Sequence, residues 1–152
     1  KSWKRSEKNK KITSILENFT GEIWVGTENG LNLYSPETNK FIHFNSDPND
    51  NTTISNNIIN DIIYDNEGVL WIATENGLNK YDPITKQFTR FNHNYKDVNT
   101  ISDNSVKCLF EDKLNRLWIG TINGLNIFNV EQETFTSFYN DDKKKHGIGL
   151  SY

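Results

Sequence analysis

The sequence lacks methionine altogether and contains one cysteine and three prolines in 152 residues. The lone thiol, Cys108, excludes a disulfide framework within the chain and a metal site built on paired cysteines. Because Cys108 stands in an apolar run that ends at Phe110, we expect its side chain to be buried. Long hydrophobic runs are also missing. No apolar stretch approaches the ~18 residues that a membrane-spanning helix needs, and no signal peptide is recognisable.

A strong charge of either sign is missing as well. The net charge is −3 and the isoelectric point is about 5.6, so no basic field favours nucleic acid. Hydrophobic residues make up 34% of the chain and aromatic residues 12%, and asparagine is frequent. That composition is typical of a globular β-rich protein with polar turns. Because even a start methionine is missing, we expect this chain to be a piece of a longer protein.

What the sequence does contain is a threefold repeat. The stretch "WIATENGLNKYDP" from Trp71 is preceded by "WVGTENGLNLYSP" from Trp24 and followed by "WIGTINGLNIFNV" from Trp118. The three tryptophans stand 47 positions apart. A repeat of roughly 40–50 residues that contains four short strands is typical of a β-propeller blade.

Four strands per repeat are predicted directly from the middle unit. We place them at residues 59–65, 69–75, 78–82 and 87–92. Asn76-Gly77 between two β-type runs predicts a two-residue type I′ hairpin turn. Apolar pairs such as Ile62-Ile63 put hydrophobic side chains on both faces of the first strand, as expected for a blade packed between two neighbours. The predicted fold is all-β, a partial propeller over residues 1–152 with four-stranded antiparallel blades at about 12–45, 59–92 and 106–139.

These residues resemble a known family. The pattern "ITSILEN…GEIWVGTENGLNLY" over residues 12–34, with its copies, is similar to the two-component regulator propeller repeat, and the resemblance extends from about Ile12 to Tyr139. In that family the repeats form the extracytoplasmic sensor region of bacterial hybrid two-component systems and sensor kinases. The resemblance implies an extracytoplasmic, non-catalytic, ligand-sensing or interaction segment of a membrane-anchored receptor. Contact with the membrane would be made only by other segments.

Three blades are too few for a closed propeller, which uses about 4–8. A blade without a neighbour exposes an apolar face, and such faces are association sites. We therefore expect self-association, with two copies completing six blades, or further blades of the same chain. The residues expected on the open faces are Ile15, Leu16, Leu109 and Phe110.

Several motifs imitate functional sites without completing them. Asp47, Asn49 and Asn51 have the spacing of a calcium loop, but Thr52 stands where glycine is needed and Ile58 where a bidentate acid is needed. We expect no calcium there. The stretch "YDNEGVLW" at 64–71 resembles the Asp-box of sialidases only distantly. No triad, acid pair or metal cluster is recognisable, so we expect no cofactor, no metal and no catalytic residue.

The repeated tryptophans and Asn-Gly pairs are interpreted as scaffold, because they serve packing and turns. Function is expected on the non-repeating loops. Antiparallel connectivity places the connections 46–57 and 93–104 and the Glu-Asn-Gly turns on one face. Aromatic and polar side chains there provide stacking and hydrogen bonds for an oligosaccharide or another small ligand. The candidates are Trp3, Glu75, His93 and Tyr95.

Two alternative functions remain open. A propeller enzyme of the lyase or glycosidase type would need convergent acid, base or metal groups on the inner strands. The corresponding positions there, Ser14, Asp61 and Cys108, are chemically unlike one another. A purely structural interaction scaffold would differ from the sensor hypothesis only in binding no small ligand. The sequence selects neither a ligand nor a total number of blades.

Overall fold

The chain forms twelve β-strands between residues 11 and 139, the part that this computed structural model describes. The first four are β1 (Ile12–Glu17), β2 (Ile23–Thr27), β3 (Gly30–Ser35) and β4 (Lys40–Phe44). The next four are β5 (Ile59–Tyr64), β6 (Leu70–Thr74), β7 (Gly77–Asp82) and β8 (Gln87–Phe91). The last four are β9 (Val106–Glu111), β10 (Leu117–Thr121), β11 (Leu125–Asn129) and β12 (Thr134–Phe138).

Each group of four consecutive strands makes one antiparallel sheet in sequence order. The predicted all-β class and the three four-stranded propeller blades are therefore confirmed. The first strands of the blades, β1, β5 and β9, lie next to one another along the inner edge. The Trp71 strand, β6, lies second in its blade and pairs with both β5 and β7. No helix that could cross a membrane occurs in residues 11–139.

The hydrophobic core lies between the blades. One cluster fills the first boundary with side chains from both blades, among them Trp24, Leu31, Ile62, Tyr81 and Phe88. A second cluster fills the next boundary, among them Trp71, Leu78, Leu109, Phe128 and Phe135. Ile62 belongs to the first cluster and its neighbour Ile63 packs against the second. The middle blade is therefore apolar on both faces, as the sequence predicts.

The tryptophans bridge the blade boundaries through aromatic contacts. Trp24 meets Tyr81 of the second blade edge-on, with ring centroids 5.2 Å apart. Trp71 meets Phe128 of the third blade in the same way at 5.0 Å. Both indoles are only 2% exposed, and edge-to-face pairs at these distances add attraction beyond their buried area. The repeated tryptophan is therefore a packing residue.

A buried polar network explains the other repeated residues of the motif. Asn79, which is fully buried, accepts from the Ser55 amide through Oδ1 at 2.8 Å and donates to Ser55 Oγ at 2.9 Å. Ser55 Oγ in turn contacts Thr74 Oγ1 at 2.9 Å. The same three bonds recur one repeat later, at 2.9, 2.9 and 2.8 Å, among Ser102, Asn126 and Thr121. The network fastens each connecting loop to the blade that follows it.

The hairpin turn differs from the predicted type I′ turn. The two turn residues are Glu75 and Asn76, and Gly77 already pairs with Thr74 as the first residue of β7. Gly77 has φ of 120°, whereas Asn76 does not adopt a positive φ. A Cβ on Gly77 would lie 2.7 Å from Asn92 Nδ2 and 3.0 Å from the carbonyl oxygen of Phe91. Glycine is required there by backbone conformation and by close approach.

Two burial predictions are wrong. The side chain of Cys108 is exposed, because β9 packs with only one face against β5 of the second blade. Leu16 and Leu109 are expected on the open faces, but both pack into the cores between blades. Ile15 and Phe110 are exposed as predicted, at 64% and 63%. Neighbouring positions on a strand point to opposite faces, so each predicted pair contains one covered and one open side chain.

Replacing Trp71 by alanine should destabilise the fold strongly. The indole is 2% exposed and lies in the second core cluster, and truncating a buried aromatic costs roughly 3–5 kcal/mol. Tyr95→Ala is the control, because that ring is 82% exposed. Chemical denaturation measures both losses. Equal and small losses would contradict the assignment of the repeated tryptophan to the core.

Candidate functional site

The connecting loops and the Glu-Asn-Gly turns lie on one face of the molecule, as the sequence predicts. The amide of Gly77, the first residue after the turn that follows β6, donates to the carbonyl of Asn104 at 2.6 Å. The equivalent bond joins Gly30 to Asn57, also at 2.6 Å. Residues 45–58, the first connecting loop, and residues 92–105, the second connecting loop, are thereby fixed against these turns. We call this surface the loop face.

Glu75 joins the second and third blades at this face. Its carboxylate accepts hydrogen bonds from Asn60 at 2.9 Å and from Ser105 at 2.7 Å, and it forms an ion pair with Lys107. Asn60 lies on β5, whereas Ser105 ends the second connecting loop and Lys107 lies on β9 of the third blade. At the preceding boundary Glu28 forms an ion pair at 3.5 Å with Lys11 of its own blade, and within residues 11–139 no side chain of the second blade bonds to it. Ile58 there replaces the serine, so the full arrangement belongs to the second boundary.

The electrostatics of Glu75 favour a permanent anion. The hydrogen bond from Lys107, followed by those from Ser105 and Asn60, lowers the pKa of Glu75 to about 2. A carboxylate with so low a pKa is a poor proton acceptor near neutral pH. Its oxygens are also already engaged by three donors. Glu75 therefore acts as a clasp between blades, and it offers a ligand little free hydrogen-bonding capacity.

His93 and Tyr95 lie on the second connecting loop. The His93 ring donates through Nδ1 to the carbonyl of Ile101 at 2.7 Å, because a carbonyl oxygen only accepts. Tyr95 is 82% exposed, and the ammonium of Lys96 lies 5.5 Å above its ring. Trp3, the fourth predicted site residue, lies outside the described residues.

The structure places these residues on one face without joining their side chains. Glu75 is directed to the blade boundary and His93 to its own loop. The link between them is Asn104, whose carbonyl accepts from Gly77 and whose Oδ1 accepts from the His93 amide at 2.7 Å. Tyr95 is the one of the three whose ring is largely free to stack on a ligand. Of the three predicted residues that the structure describes, Tyr95 is therefore the aromatic side chain that the loop face exposes to solvent.

A cavity of about 610 Å³ opens on the opposite face, between the first and second blades. Its walls include the polar ends of Glu22, Lys80 and Asp82 and the rings of Tyr64 and Tyr81. Burial raises the pKa of both tyrosine hydroxyls, so both remain protonated near neutral pH. The Trp24 indole and most of the Tyr81 ring are buried in the core between the blades. The accessible part of the cavity is therefore mainly its polar wall.

One departure from the repeat shapes this cavity. In the second and third blades the tryptophan Nε1 donates within its own blade, from Trp71 to Asp65 at 2.8 Å and from Trp118 to Asp112 at 2.8 Å. In the first blade the corresponding residue is Asn18, whose side chain bonds to Thr20 and Glu22. Trp24 therefore donates across the boundary instead, to the Tyr64 hydroxyl at 2.9 Å.

Sequence reasoning missed the role of Arg90. Its guanidinium reaches from β8 into the first connecting loop and donates at 2.7 Å to the carbonyls of Asp50 and Thr53 and to Thr53 Oγ1. The sequence carries one signal for it: Arg90, His43 and Ser137 occupy the same position of the repeat and differ in charge and length. A position that varies while its neighbours repeat indicates a side chain with a contact specific to its own blade.

Comparison with known proteins identifies the repeats. The two component regulator propeller family matches residues 53–76 and 100–123, each match running from a connecting loop to the following turn. The predicted resemblance to this family is thereby confirmed. No curated protein matches the chain.

Solved structures agree with that match. The extracellular domain of BT3049 from B. thetaiotaomicron, named as a hybrid two component system, is 27% identical with a TM-score of 0.77. The match covers 87% of this chain but only 19% of that one. The extracellular domain of BT4673 from the same organism is 18% identical at 0.51, over 93% of this chain and 26% of that one. Virginiamycin B lyase from Staphylococcus aureus shares the fold at 0.66, with 9% identity, over 90% of this chain and 43% of that one.

The Glu75 clasp predicts a pH-dependent contribution to stability. A carboxyl group whose folded pKa lies below its unfolded value stabilises the fold above the unfolded pKa. That contribution disappears as the pH falls through the folded pKa. For Glu75 the window runs from about 4.5 down to about 2. Denaturation of the parent and of Glu75→Gln should therefore differ near neutral pH and converge across that window.

Glu37→Gln is the matched control, because Glu37 is exposed. Its difference from the parent should be small at every pH. A Glu75→Gln difference that stays constant from neutral to acid pH would contradict the clasp.

Proposed function

We propose that this chain, in which residues 53–76 and 100–123 match the two component regulator propeller family, is a non-catalytic recognition segment of a bacterial two-component sensor. In this proposal the segment lies outside the cytoplasm as part of a membrane-anchored receptor, and its loop face meets the ligand or partner. The observation that carries the proposal is the similarity to the extracellular domain of a hybrid two component system, at 27% identity over 87% of this chain.

The architecture supports recognition by loops on a rigid support. The repeated residues of the family motif are used for packing and for fastening the loops, as with Trp71 and Asn79. The loops themselves vary in sequence, and the second one presents Tyr95 at 82% exposure. Binding residues are concentrated on loops that a rigid scaffold positions.

The enzyme alternative gains no support from a specific observation. The likeness to virginiamycin B lyase rests on 9% identity and extends to the fold alone. Among the equivalent inner-strand residues Ser14, Asp61 and Cys108, the carboxylate is Asp61. Both its oxygens accept backbone hydrogen bonds, from the amides of Ile62 and Leu109 at 2.9 Å each. That is the behaviour of a residue that joins neighbouring blades.

A thermal-unfolding screen tests the recognition proposal. The probes are linear oligosaccharides of glucose, mannose, xylose and galacturonic acid, each added to the chain in excess. A ligand at 100 times its dissociation constant stabilises the folded state by about 2.7 kcal/mol. We expect at least one probe to raise the unfolding temperature, and Tyr95→Ala to abolish the shift.

Ile84→Ala is the control, because Ile84 is 90% exposed in the turn between β7 and β8, on the opposite face. It should leave the shift intact. The absence of any shift across the panel would favour a scaffold without a small ligand. Chemical conversion of a probe, detected by mass spectrometry, would favour an enzyme.

We also propose that the open faces of the first and third blades bind further blades, from a second copy or from the same chain. The outward face of the first blade carries Ile12 and Ile15, which are 51% and 64% exposed. They stand one 47-residue repeat before Ile59 and Ile62, which are buried against the first blade.

The outward face of the third blade carries the complementary set. Phe110, Trp118 and Phe138 stand one repeat after Ile63, Trp71 and Phe91, which pack against the third blade. The open face of the first blade thus corresponds to the face that the second blade turns to the first. The open face of the third blade corresponds to the face that the second blade turns to the third. Apolar surfaces of this kind mark association sites.

Light scattering on this chain tests the association. We expect a mass above that of the 17.7 kDa monomer at micromolar concentration. Phe110→Lys should shift the distribution toward monomer, because it places a charge on the open face. The control is Lys113→Ala, an exposed substitution in the turn before β10, which should leave the distribution unchanged. A well-folded, soluble monomer at every micromolar concentration would contradict the proposed use of these faces.

A further inference from the structure

The two connecting loops have the same internal structure. In the first, the Asp50 amide donates to the Asp47 carbonyl at 3.2 Å, and in the second, the Asp97 amide donates to the Asn94 carbonyl at 2.9 Å. A threonine then folds back on the loop in both. Further matched bonds include Thr53 Oγ1 to Asp50 O and Thr100 Oγ1 to Asp97 O, both 2.9 Å, and Phe88 N to Thr52 O and Phe135 N to Asn99 O, both 2.7 Å.

In the first loop, this backbone encloses a cation. Arg90 donates through Nε to the Thr53 carbonyl at 2.7 Å. Its Nη2 donates to the Asp50 carbonyl and to Thr53 Oγ1, both at 2.7 Å, and more weakly to the carbonyls of Asp47 and Ile54, both at 3.3 Å. Five oxygens of one loop thus converge on one guanidinium. Convergent carbonyl and hydroxyl oxygens are a site for a positive N–H donor.

The second loop presents the same oxygens, but its blade supplies no arginine. The residue one repeat after Arg90 is Ser137, whose hydroxyl donates to Asn126 Oδ1 at 2.7 Å. The His93 ring occupies the carbonyl of Ile101, the equivalent of Ile54, which leaves four of the five oxygens for another donor. The nearby Lys96 ammonium lies over the Tyr95 ring. Within residues 11–139, no side-chain cation donates to the carbonyls of Asn94, Asp97 and Thr100.

We propose that the second connecting loop binds a guanidinium group from outside residues 11–139, held where Arg90 is held in the first loop. The group comes from an arginine side chain of a partner or peptide, or from a small molecule that carries a guanidinium. Tyr95 belongs to the same loop and is 82% exposed, so the ring face that the Lys96 ammonium does not cover can stack on a planar cation. This inference goes beyond the proposed function and does not depend on it, because it rests on the comparison of the two loops.

The geometry favours a guanidinium over a metal ion. In the first loop the donor–acceptor distances of 2.7–3.3 Å are hydrogen-bond lengths, whereas calcium requires oxygens at about 2.3–2.6 Å. The Asp97 carboxylate is turned to the Asn99 amide, at 2.9 Å. Calcium also prefers carboxylate ligands, and no group of three or more His, Cys, Asp or Glu side chains suited to a metal occurs in the described part of the chain.

Amide NMR of the 152-residue chain tests the inference, with methylguanidinium chloride as the probe at constant ionic strength. We expect saturable shifts, with affinity of roughly millimolar order for so small a ligand, confined to residues 94–102. Ser137→Arg should abolish them, because the new side chain fills the site. Ser137→Ala should keep them, because it removes only a hydroxyl.

Arg90→Ser provides the converse test. It vacates the first loop, so a second set of saturable shifts should appear at residues 47–55. Should this variant fail to fold, the two Ser137 variants still decide. An arginyl peptide that saturates the shifts at lower concentration than free methylguanidinium would assign the group to a partner chain, and equal concentrations would assign it to a small molecule.

Three results would overturn the inference. They are shifts that do not saturate, shifts that survive Ser137→Arg in a folded variant, and saturable shifts given by calcium chloride but not by methylguanidinium.

Discussion

The structure depends on the contacts that Trp24 and Trp71 make with an aromatic ring of the next blade. A single blade is apolar on both faces, so it cannot remove its hydrophobic surface from water alone. At each described boundary, the indole of one blade meets a ring on the third strand of the next, Tyr81 at the first boundary and Phe128 at the second. Burial of this kind contributes roughly 25 cal/mol per Å² of apolar surface. The 47-residue spacing of the tryptophans follows from one such contact per blade.

The loops owe their geometry to the same scaffold. Each is fastened to the following blade by a buried asparagine, Asn79 or Asn126, whose Oδ1 accepts a hydrogen bond from the backbone amide of the serine near the end of the loop. With the backbone held in this way, a side chain beside the loop can change without altering its fold. Arg90 and Ser137 illustrate this, because the two loops keep the same internal bonds although only one is filled by a guanidinium. A repeated frame with variable positions is well suited to recognition, since new specificity requires no new fold.

The sequence predicts the fold well because repetition exposes which residues serve packing. The period, the four strands per blade and the shared loop face follow from Trp71, the alternation around Ile62 and the turn at Gly77. The predicted type I′ turn at Asn76-Gly77 is wrong. Asn-Gly is also compatible with the observed turn at Glu75-Asn76, which is followed by a glycine of positive φ. Local sequence does not distinguish these two backbones.

Features that depend on long-range contacts could not be predicted in the same way. Cys108 is exposed although its local sequence is apolar, because burial on β9 depends on which neighbour covers each face. Trp24 donates a hydrogen bond to Tyr64, and Arg90 donates hydrogen bonds to residues 47–54. These contacts join positions about forty residues apart. Of the predicted site residues, Glu75 joins blades, His93 bonds to its own loop, and Tyr95 is exposed to solvent. A single sequence contains the residues of such contacts but not their pairing.

A double-mutant cycle between Trp71 and Phe128 tests the central claim most directly, that contacts across the blade boundary hold the fold together. Residues in direct contact show coupling energies of about 0.5–3 kcal/mol, whereas distant pairs add within about 0.3–0.5 kcal/mol. Denaturation of Trp71→Ala, Phe128→Ala and the double variant should give coupling in the first range. The same cycle with Phe44, which lies in the other core cluster, should give additivity. Additive losses for Trp71 and Phe128 would contradict the account.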